Sequence, residues 1–437
     1  MLLPGHVQKC MDMLEQHGFA CYAVGGCVRD ALLGLTPLDY DLCTDALPAQ
    51  TRAIFSNSQL VLAGEKHGTI GVVTEAGVVE ITTFRTEGDY VDSRHPGWVK
   101  FVKTIEGDLA RRDFTVNAMA YSPTRGFVDP FGGQQDLQKR ILRAVGDAPA
   151  RFTEDALRIL RGVRFSVRYR LTAESTTMNA MLAQAPLLEN IAKERIFGEL
   201  CKLLPLISAE DLSTYCPIFT QIIPELAPTV GFAQHSMHHA YDVFTHTAQV
   251  CAATPPDLTL RWAALLHDIG KISTFTLDED GQGHFYGHAS VSAQMADSIL
   301  RRLKAPTALR ENVIFLIEHH MDSIEPDKKL LRRWVSRRGI DRVRKLLALQ
   351  KADFCSKGVS GAFSPFDRIN SLLQTILEEE SCLTLADLAI SGHDLIAMGL
   401  TGPVIGTCLN QLLSQVINEE IPNDKAALLA AAERMVL

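Results

Sequence analysis

Residues 20–44 read Ala20-Cys21-Tyr22-Ala23-Val24-Gly25-Gly26-Cys27-Val28-Arg29-Asp30-Ala31-Leu32-Leu33-Gly34-Leu35-Thr36-Pro37-Leu38-Asp39-Tyr40-Asp41-Leu42-Cys43-Thr44. A short β-prone run ends in a glycine pair, a helical stretch follows, and two alternating carboxylates open the next β-prone run. Residues at i and i+2 of a strand face one side, so Asp39 and Asp41 are placed to hold one or two Mg²⁺ ions. Gly25-Gly26 permits close backbone approach to phosphate, the helix after it offers its N-terminal dipole, and Arg29 adds a cation. The combination points to metal-assisted nucleotidyl transfer. It is neither a P-loop, which ends in Gly-Lys-Ser/Thr, nor Gly-x-Gly-x-x-Gly, so ordinary NTPase and dehydrogenase readings are weak.

Working outward, Val78-Val79-Glu80-Ile81-Thr82 sets one carboxylate in an apolar run. A lone acid there is costly unless paired or liganding a metal, which makes Glu80 the expected third acid. Further β-prone runs are Ala20 to Val24, Thr69 to Thr74, Val78 to Phe84 and Trp98 to Val102. From about Asp136 the periodicity turns helical in LQKRILRAV, EDALRILRGVRFSVRY, MNAMLAQAPLLENI and ERIFGELCKLL. The expected fold is therefore an α+β head with a mixed sheet, followed by an all-α remainder. Breaks near Ser208 to Thr214, at the prolines of 223–228, and near Ser356 to Pro365 divide the chain into 1–140, 141–210, 211–360 and 361–437.

The chain has 437 residues, 46% hydrophobic and 22% charged, with a formal net charge of −8. That balance excludes indiscriminate nucleic-acid binding and leaves local basic patches to grip any RNA. One such patch is the arginine series 151, 158, 161, 164, 168 and 170; the series from Arg332 to Lys345 reads as a solvated helix face. No run approaches the roughly 18 apolar residues of a membrane span. Ten cysteines without a Cys-x-x-Cys pair suit a reducing compartment. A cytoplasmic enzyme without membrane partners is expected.

Five motifs, GGCVRDALLGLTPLDYDLCT at 25–44, EITTFR at 80–85, RRDFTVNAMA at 111–120, EDALRILRGVRF at 154–165 and ERIFGEL at 194–200, resemble in order and spacing the bacterial-type (class II) tRNA nucleotidyltransferases. These are the CCA-adding enzymes and poly(A) polymerase relatives of the polymerase β superfamily. The resemblance implies that Gly26, Arg29 and Arg112 touch the incoming nucleotide, that Asp39 and Asp41 bind Mg²⁺, and that Asp155, Arg158, Arg161 and Arg164 line the nucleotide site. The spacing agrees, since Asp155 and Arg158 would share one helix face as acceptor and donor. Cytosine and adenine both present an amino donor beside a ring-nitrogen acceptor, so such a pair fits CTP and ATP and opposes UTP and GTP. Asp113 is expected to cap a helix start. The polar segment Thr86–Gly97 resembles the loop of family members that complete the terminal A, and GHDLIAMGLTGPVIGTCLNQLL at 392–413 resembles their tRNA-gripping tail.

Downstream, VFTHTAQV at 243–250, WAALLHDIGK at 262–271, GHASVSA at 287–293, IEHHMD at 317–322 and LQKADF at 349–354 resemble the HD phosphohydrolases. Their ligands map to His246, His267, Asp268 and Asp353, with His288, His319 and His320 as candidates for a second metal position. Imidazoles and carboxylates from separate helices suit a transition metal. His235, His238 and His239 read as packed or surface residues. The expected activity is untemplated addition of C, C and A to tRNA 3′ ends, joined by phosphatase or phosphodiesterase repair of the RNA end. The alternatives are an A-adding enzyme or poly(A) polymerase and, in another class, an HD phosphohydrolase with a nucleotide-binding module.

Overall fold

The computed structural model describes residues 1–87, 99–236, 240–357, 366–379 and 382–436. The chain divides into two compact units: Met1–Ile207 with Thr214–Pro224, and Ser208–Ser213 with Glu225–Leu437.

The first unit is built on strands β1 (Cys21–Val24), β2 (Asp41–Thr44), β3 (Leu60–Val61), β4 (Thr69–Thr74), β5 (Gly77–Thr83), β8 (Ala120–Ser122) and β9 (Gly126–Val128), with β6 (Arg85–Glu87) and β7 (Val99–Phe101) forming a separate hairpin. The seven-stranded sheet runs β3-β4-β5-β2-β1-β8-β9. Only β2 and β5 are parallel; the remaining neighbours are antiparallel. The register sets Val24 opposite Asp41 and Asp41 opposite Glu80. The end of β1, the start of β2 and the middle of β5 thus form one row across the sheet.

Alternation explains the row. In β5, Val79, Ile81 and Thr83 are buried while Glu80 is exposed, as period-two geometry requires. The burial cost anticipated for Glu80 is therefore absent, and its place is set by register. On the core side Tyr22, Val24, Cys43 and Phe84 pack with Ile105, Leu109 and Ala120. Asp39 lies just before β2, so only Asp41 of the Asp-x-Asp pair is on the strand proper.

The helical remainder holds, apart from two small strand pairs. One of these corrects the helical reading of LQKRILRAV. Helix Gly133–Gln138 stops before Arg140, which takes a left-handed φ of 57°, and Ile141–Leu142 pairs in parallel with Thr172–Ala173. The EDALRILRGVRF stretch is likewise two helices, Ala148–Glu154 and Leu157–Tyr169, broken at Asp155. In the second unit, helices Val243–Ala253, Leu258–Leu266, His288–Arg302, Thr307–His319 and Ile340–Cys355 carry the HD motifs. Beyond them a separate apolar cluster around Leu395, Leu412 and Leu428 gathers the C-terminal helices. Residues 88–97 of the loop segment, and His238 and His239, lie outside the described residues; His235 is exposed. Among the described residues no helix is long and apolar enough to cross a membrane.

Candidate active site and metal cluster

The carboxylate row forms one wall of a cavity of about 690 Å³, which Asp39, Asp41 and Glu80 line together with Gly25 and Gly26. Eight arginines also line it, 29, 85, 111, 112, 158, 161, 164 and 195, against five carboxylates. That excess of cations suits a polyphosphate. Gly25 has a φ of 72°, and a Cβ there would stand 2.6 Å from Nη1 of Arg112, so glycine is what lets this guanidinium lie against the turn.

The Asp41 carboxyl is pushed up to about 6, first by burial and then by Asp39 and Glu80, with Arg112 pulling the other way. Mutually repelling carboxylate oxygens at the edge of an arginine-lined cavity are a donor set for a hard cation such as Mg²⁺. Among the described residues, however, Asp39, Asp41 and Glu80 are not a group whose ligand atoms all lie within 4.8 Å of one another.

The arginines are held, not loose. Arg112 Nη2 lies 3.2 Å from Asp108 Oδ2, and Arg111 Nη2 lies 2.9 Å from Asp108 Oδ1. Asp108 is fully buried, and although burial works against its charge the two arginines keep its carboxyl below the usual range. Arg29 is clasped by Asp30 at 2.8 Å, by Asn117, and by the Tyr169 hydroxyl at 2.5 Å, with the Tyr169 ring 4.2 Å beneath it. Arg164 Nε donates to Glu199 at 2.6 Å.

Asp155 and Arg158 both line the cavity, but not as neighbours on one helix. Asp155 sits at the helix break, where Oδ1 accepts from Leu157 N at 3.1 Å and Oδ2 from Arg195 at 2.8 Å. Arg158 donates to Glu154 at 2.7 Å and to the Arg111 carbonyl at 3.1 Å. Side-chain capping at the break, not helical spacing, is what aims Asp155.

Asp113 does not cap a helix; only a 3₁₀ turn, Thr115–Asn117, follows it. Instead Asp113 Oδ2 takes Arg161 Nη2 at 2.7 Å, and Oδ1 takes Asn117 Nδ2 at 2.9 Å. Burial would raise its carboxyl, yet Arg161 and Asn117 overcome this and hold it at about 2. Because the folded value is depressed, this ion pair contributes stability above the unfolded value of about 3.9 and loses it as pH falls through about 2. With Arg161 37% exposed and partly screened, the contribution is about 1–2 kcal/mol. Asp113→Asn is expected to lower unfolding free energy by that amount at pH 7, with the gap narrowing towards pH 2.5 in urea titrations; a gap independent of pH would contradict the pairing.

In the second unit four imidazoles and two carboxylates converge. His246 Nε2 is 2.9 Å from Asp353 Oδ1, His267 Nε2 is 3.2 Å from Asp268 Oδ2, and His288 Nε2 is 3.4 Å from Asp268 Oδ1. His288 and His320 face each other Nε2 to Nε2 at 3.3 Å. His246, His267 and Asp268 form one group able to hold a metal ion, and Asp268, His288 and His320 a second. His319 belongs to neither, because its Nδ1 is turned to Asp322 at 2.7 Å.

Each clustered imidazole has its Nδ1 against a backbone carbonyl: His246 to Ser356, His267 to Ala264, His288 to Phe285 and His320 to Ile317. A proton on Nδ1 leaves the Nε2 lone pairs pointing inward, the arrangement of metal-ligating histidines. Burial lowers both His288 and His320, the latter to about 4, so both are neutral donors at pH 7. For His267 burial works against the charge, but Asp268 and Asp353 outweigh it and raise the imidazole. Imidazole with carboxylate is a donor set that fits a transition-metal ion. Lys271 Nζ, 2.8 Å from Asp268 Oδ2 and held by Gln234, was not anticipated; its place three residues after Asp268 was the available signal.

A sheet that lifts carboxylates into an arginine-lined cavity, in a chain that also carries an HD fold, defines a nucleotidyltransferase of the poly(A) polymerase head type. Residues 21–143 match the poly A polymerase head domain, 170–212 the probable RNA and SrmB-binding site of polymerase A, and 237–357 the HD domain. The CCA-adding enzyme of Streptococcus pyogenes is 33% identical over 432 residues, 97% of this chain and 96% of its own length. That of Geobacillus thermodenitrificans is 47% identical over 213 residues, 47% of this chain and 52% of its own. The crystal structure of the Bacillus stearothermophilus CCA-adding enzyme in complex with CTP superposes with a TM-score of 0.72 at 28% identity, covering 99% of this chain and 98% of that one. The Thermotoga maritima enzyme complexed with tRNA shares the fold, with a TM-score of 0.62 at 18% identity over 99% and 96% of the two chains. The chain belongs to the family of CCA-adding enzymes, the tRNA nucleotidyltransferases.

Proposed function

We propose that this enzyme extends the 3′ end of tRNA by C, C and A from CTP and ATP, without a nucleic-acid template, and that the head cavity is where it does so. The observation that carries the reading is the row in which Asp41 and Glu80 stand in register beside the Gly25 turn, facing eight arginines. Asp39, Asp41 and Glu80 would hold Mg²⁺, which when bound activates the attacking 3′-hydroxyl and offsets charge on the leaving pyrophosphate. Arg112, seated on Asp108 and close against Gly25, and Arg29 at Gly26 orient the triphosphate. Asp155 offers an acceptor and Arg158 a donor to the base, with Arg161 and Arg164 completing that wall.

A base that presents the wrong edge leaves buried polar groups unsatisfied at about 1–3 kcal/mol each. Isothermal titration of the full chain should therefore show CTP and ATP binding at least about 10-fold more tightly than UTP and GTP, with the gap narrowed in Asp155→Asn. Equal affinity for all four nucleotides would overturn the assignment of this wall to base selection.

In the same reading the His–Asp cluster is a phosphohydrolase site that clears phosphate or cyclic phosphate from damaged RNA ends. His246, His267, Asp268 and Asp353 would hold its ion, a transition metal, with His288 and His320 at a second position. The segments 1–140, 141–210, 211–360 and 361–437 then serve as head, nucleotide- and RNA-binding neck, HD domain and tRNA-binding tail. A tRNA substrate, and ten cysteines without a Cys-x-x-Cys pair, support a cytoplasmic location.

A further inference from the structure

The cleft over the His–Asp cluster carries a feature that metal ligation does not use. Its cavity, about 240 Å³, is lined by residues of the hairpin formed by Thr276–Leu277 and Gly283–His284, and by Tyr286 just beyond it. Tyr286 is 79% exposed. Its ring lies nearly parallel to that of His284, with centroids 5.3 Å apart and planes 8° from each other. His284 is in turn fixed across the hairpin, Nε2 2.8 Å from Asp278 Oδ2. Such exposure gives a tyrosine little from the core, whereas a stacked and anchored neighbour keeps its face flat and ready.

The same cavity holds the opposite chemistry. Lys271, 6% exposed, presents an ammonium beside Asp268, and His288 and His320 border it. An ammonium beside a His–Asp cluster able to hold a metal ion receives a phosphoester; an outward aromatic face receives a planar ring. A nucleotide has both, side by side.

We propose that Tyr286, backed by His284, is the platform on which the base of an unpaired terminal ribonucleotide stacks while its phosphoester reaches the His–Asp cluster. This rests on the reading of that cluster as a phosphohydrolase site for ribonucleotide ends with a 3′-phosphate or 2′,3′-cyclic phosphate, and assigns the terminal base its place at that site. Every base has a π-face, so the platform tolerates any sequence.

The test uses the full chain and two probes, 2-aminopurine riboside 3′-monophosphate and a 3′-phosphorylated pentaribonucleotide ending in 2-aminopurine. Their fluorescence is quenched on stacking. The wild type and Tyr286→Phe should bind both with the same affinity, and Tyr286→Ala about 10-fold or more weakly. The head is identical in all three proteins, so the difference isolates Tyr286, and an unchanged melting temperature in Tyr286→Ala excludes unfolding. Equal quenching by wild type and Tyr286→Ala overturns the proposal.

A second arm compares hydrolysis of 2′,3′-cyclic CMP with that of a cyclic phosphate of glycerol, which has no base. Tyr286→Ala should raise KM for the nucleotide alone; an equal rise for both substrates also overturns the platform. If the wild type hydrolyses neither, the phosphohydrolase reading fails while the fluorescence still decides the stacking.

Discussion

Asp41→Ala is expected to lower kcat/KM for CTP addition to tRNA by about 10³-fold or more while leaving the fold intact. Asp41 is the residue through which the carboxylate row is built: Val24 flanks it on β1 and Glu80 on β5. Its carboxyl is pushed up to about 6 by burial and by the neighbouring acids, so in the metal-free protein it is a source of repulsion. Alanine removes that repulsion, and the melting temperature should not fall. Loss of chemistry with retained stability marks a ligand, whereas loss of both would mark a structural residue. An alanine variant within 10-fold of wild type would remove Asp41 from the reaction.

Asp268→Asn should have the largest effect in the second unit. Asp268 is common to both groups that can hold a metal ion, and it lies within 3.2 Å of His267, 3.4 Å of His288 and 2.8 Å of Lys271. Asparagine keeps the shape but loses the charge and one acceptor, so bound metal, counted per chain by inductively coupled plasma mass spectrometry, should fall close to zero. Phosphohydrolase activity should vanish with it, and CTP incorporation should stay within about 2-fold, since the carboxylates proposed for nucleotide addition belong to the first unit. Full metal content in the variant would contradict the cluster as assigned.

What the sequence conveyed follows physical range. Strands β1, β2 and β5 were legible because alternation and turn glycines are local, and Asp41 and Glu80 could be named before their register was known. The HD histidines were legible because each sits in its own short motif at a helix end. What escaped was pairing across distance. Asp113 beneath Arg161, and Arg195 on Asp155, are contacts whose partners lie 48 and 40 residues apart. The helix break at Asp155 was hidden for another reason. Arginines at 158, 161 and 164 keep a helical period, while the break depends on one carboxylate bonding the Leu157 N–H. His319 shows the converse error: adjacency to His320 suggested a ligand, but successive helical residues point about 100° apart, and this one turns to Asp322.

The most direct measurement of the central claim is incorporation of single labelled nucleotides into tRNA lacking its CCA end. The enzyme should add two residues from CTP alone, one from ATP once CC is present, and none from UTP or GTP. Failure to incorporate CTP, with ATP alone extending the RNA by many residues, would contradict it.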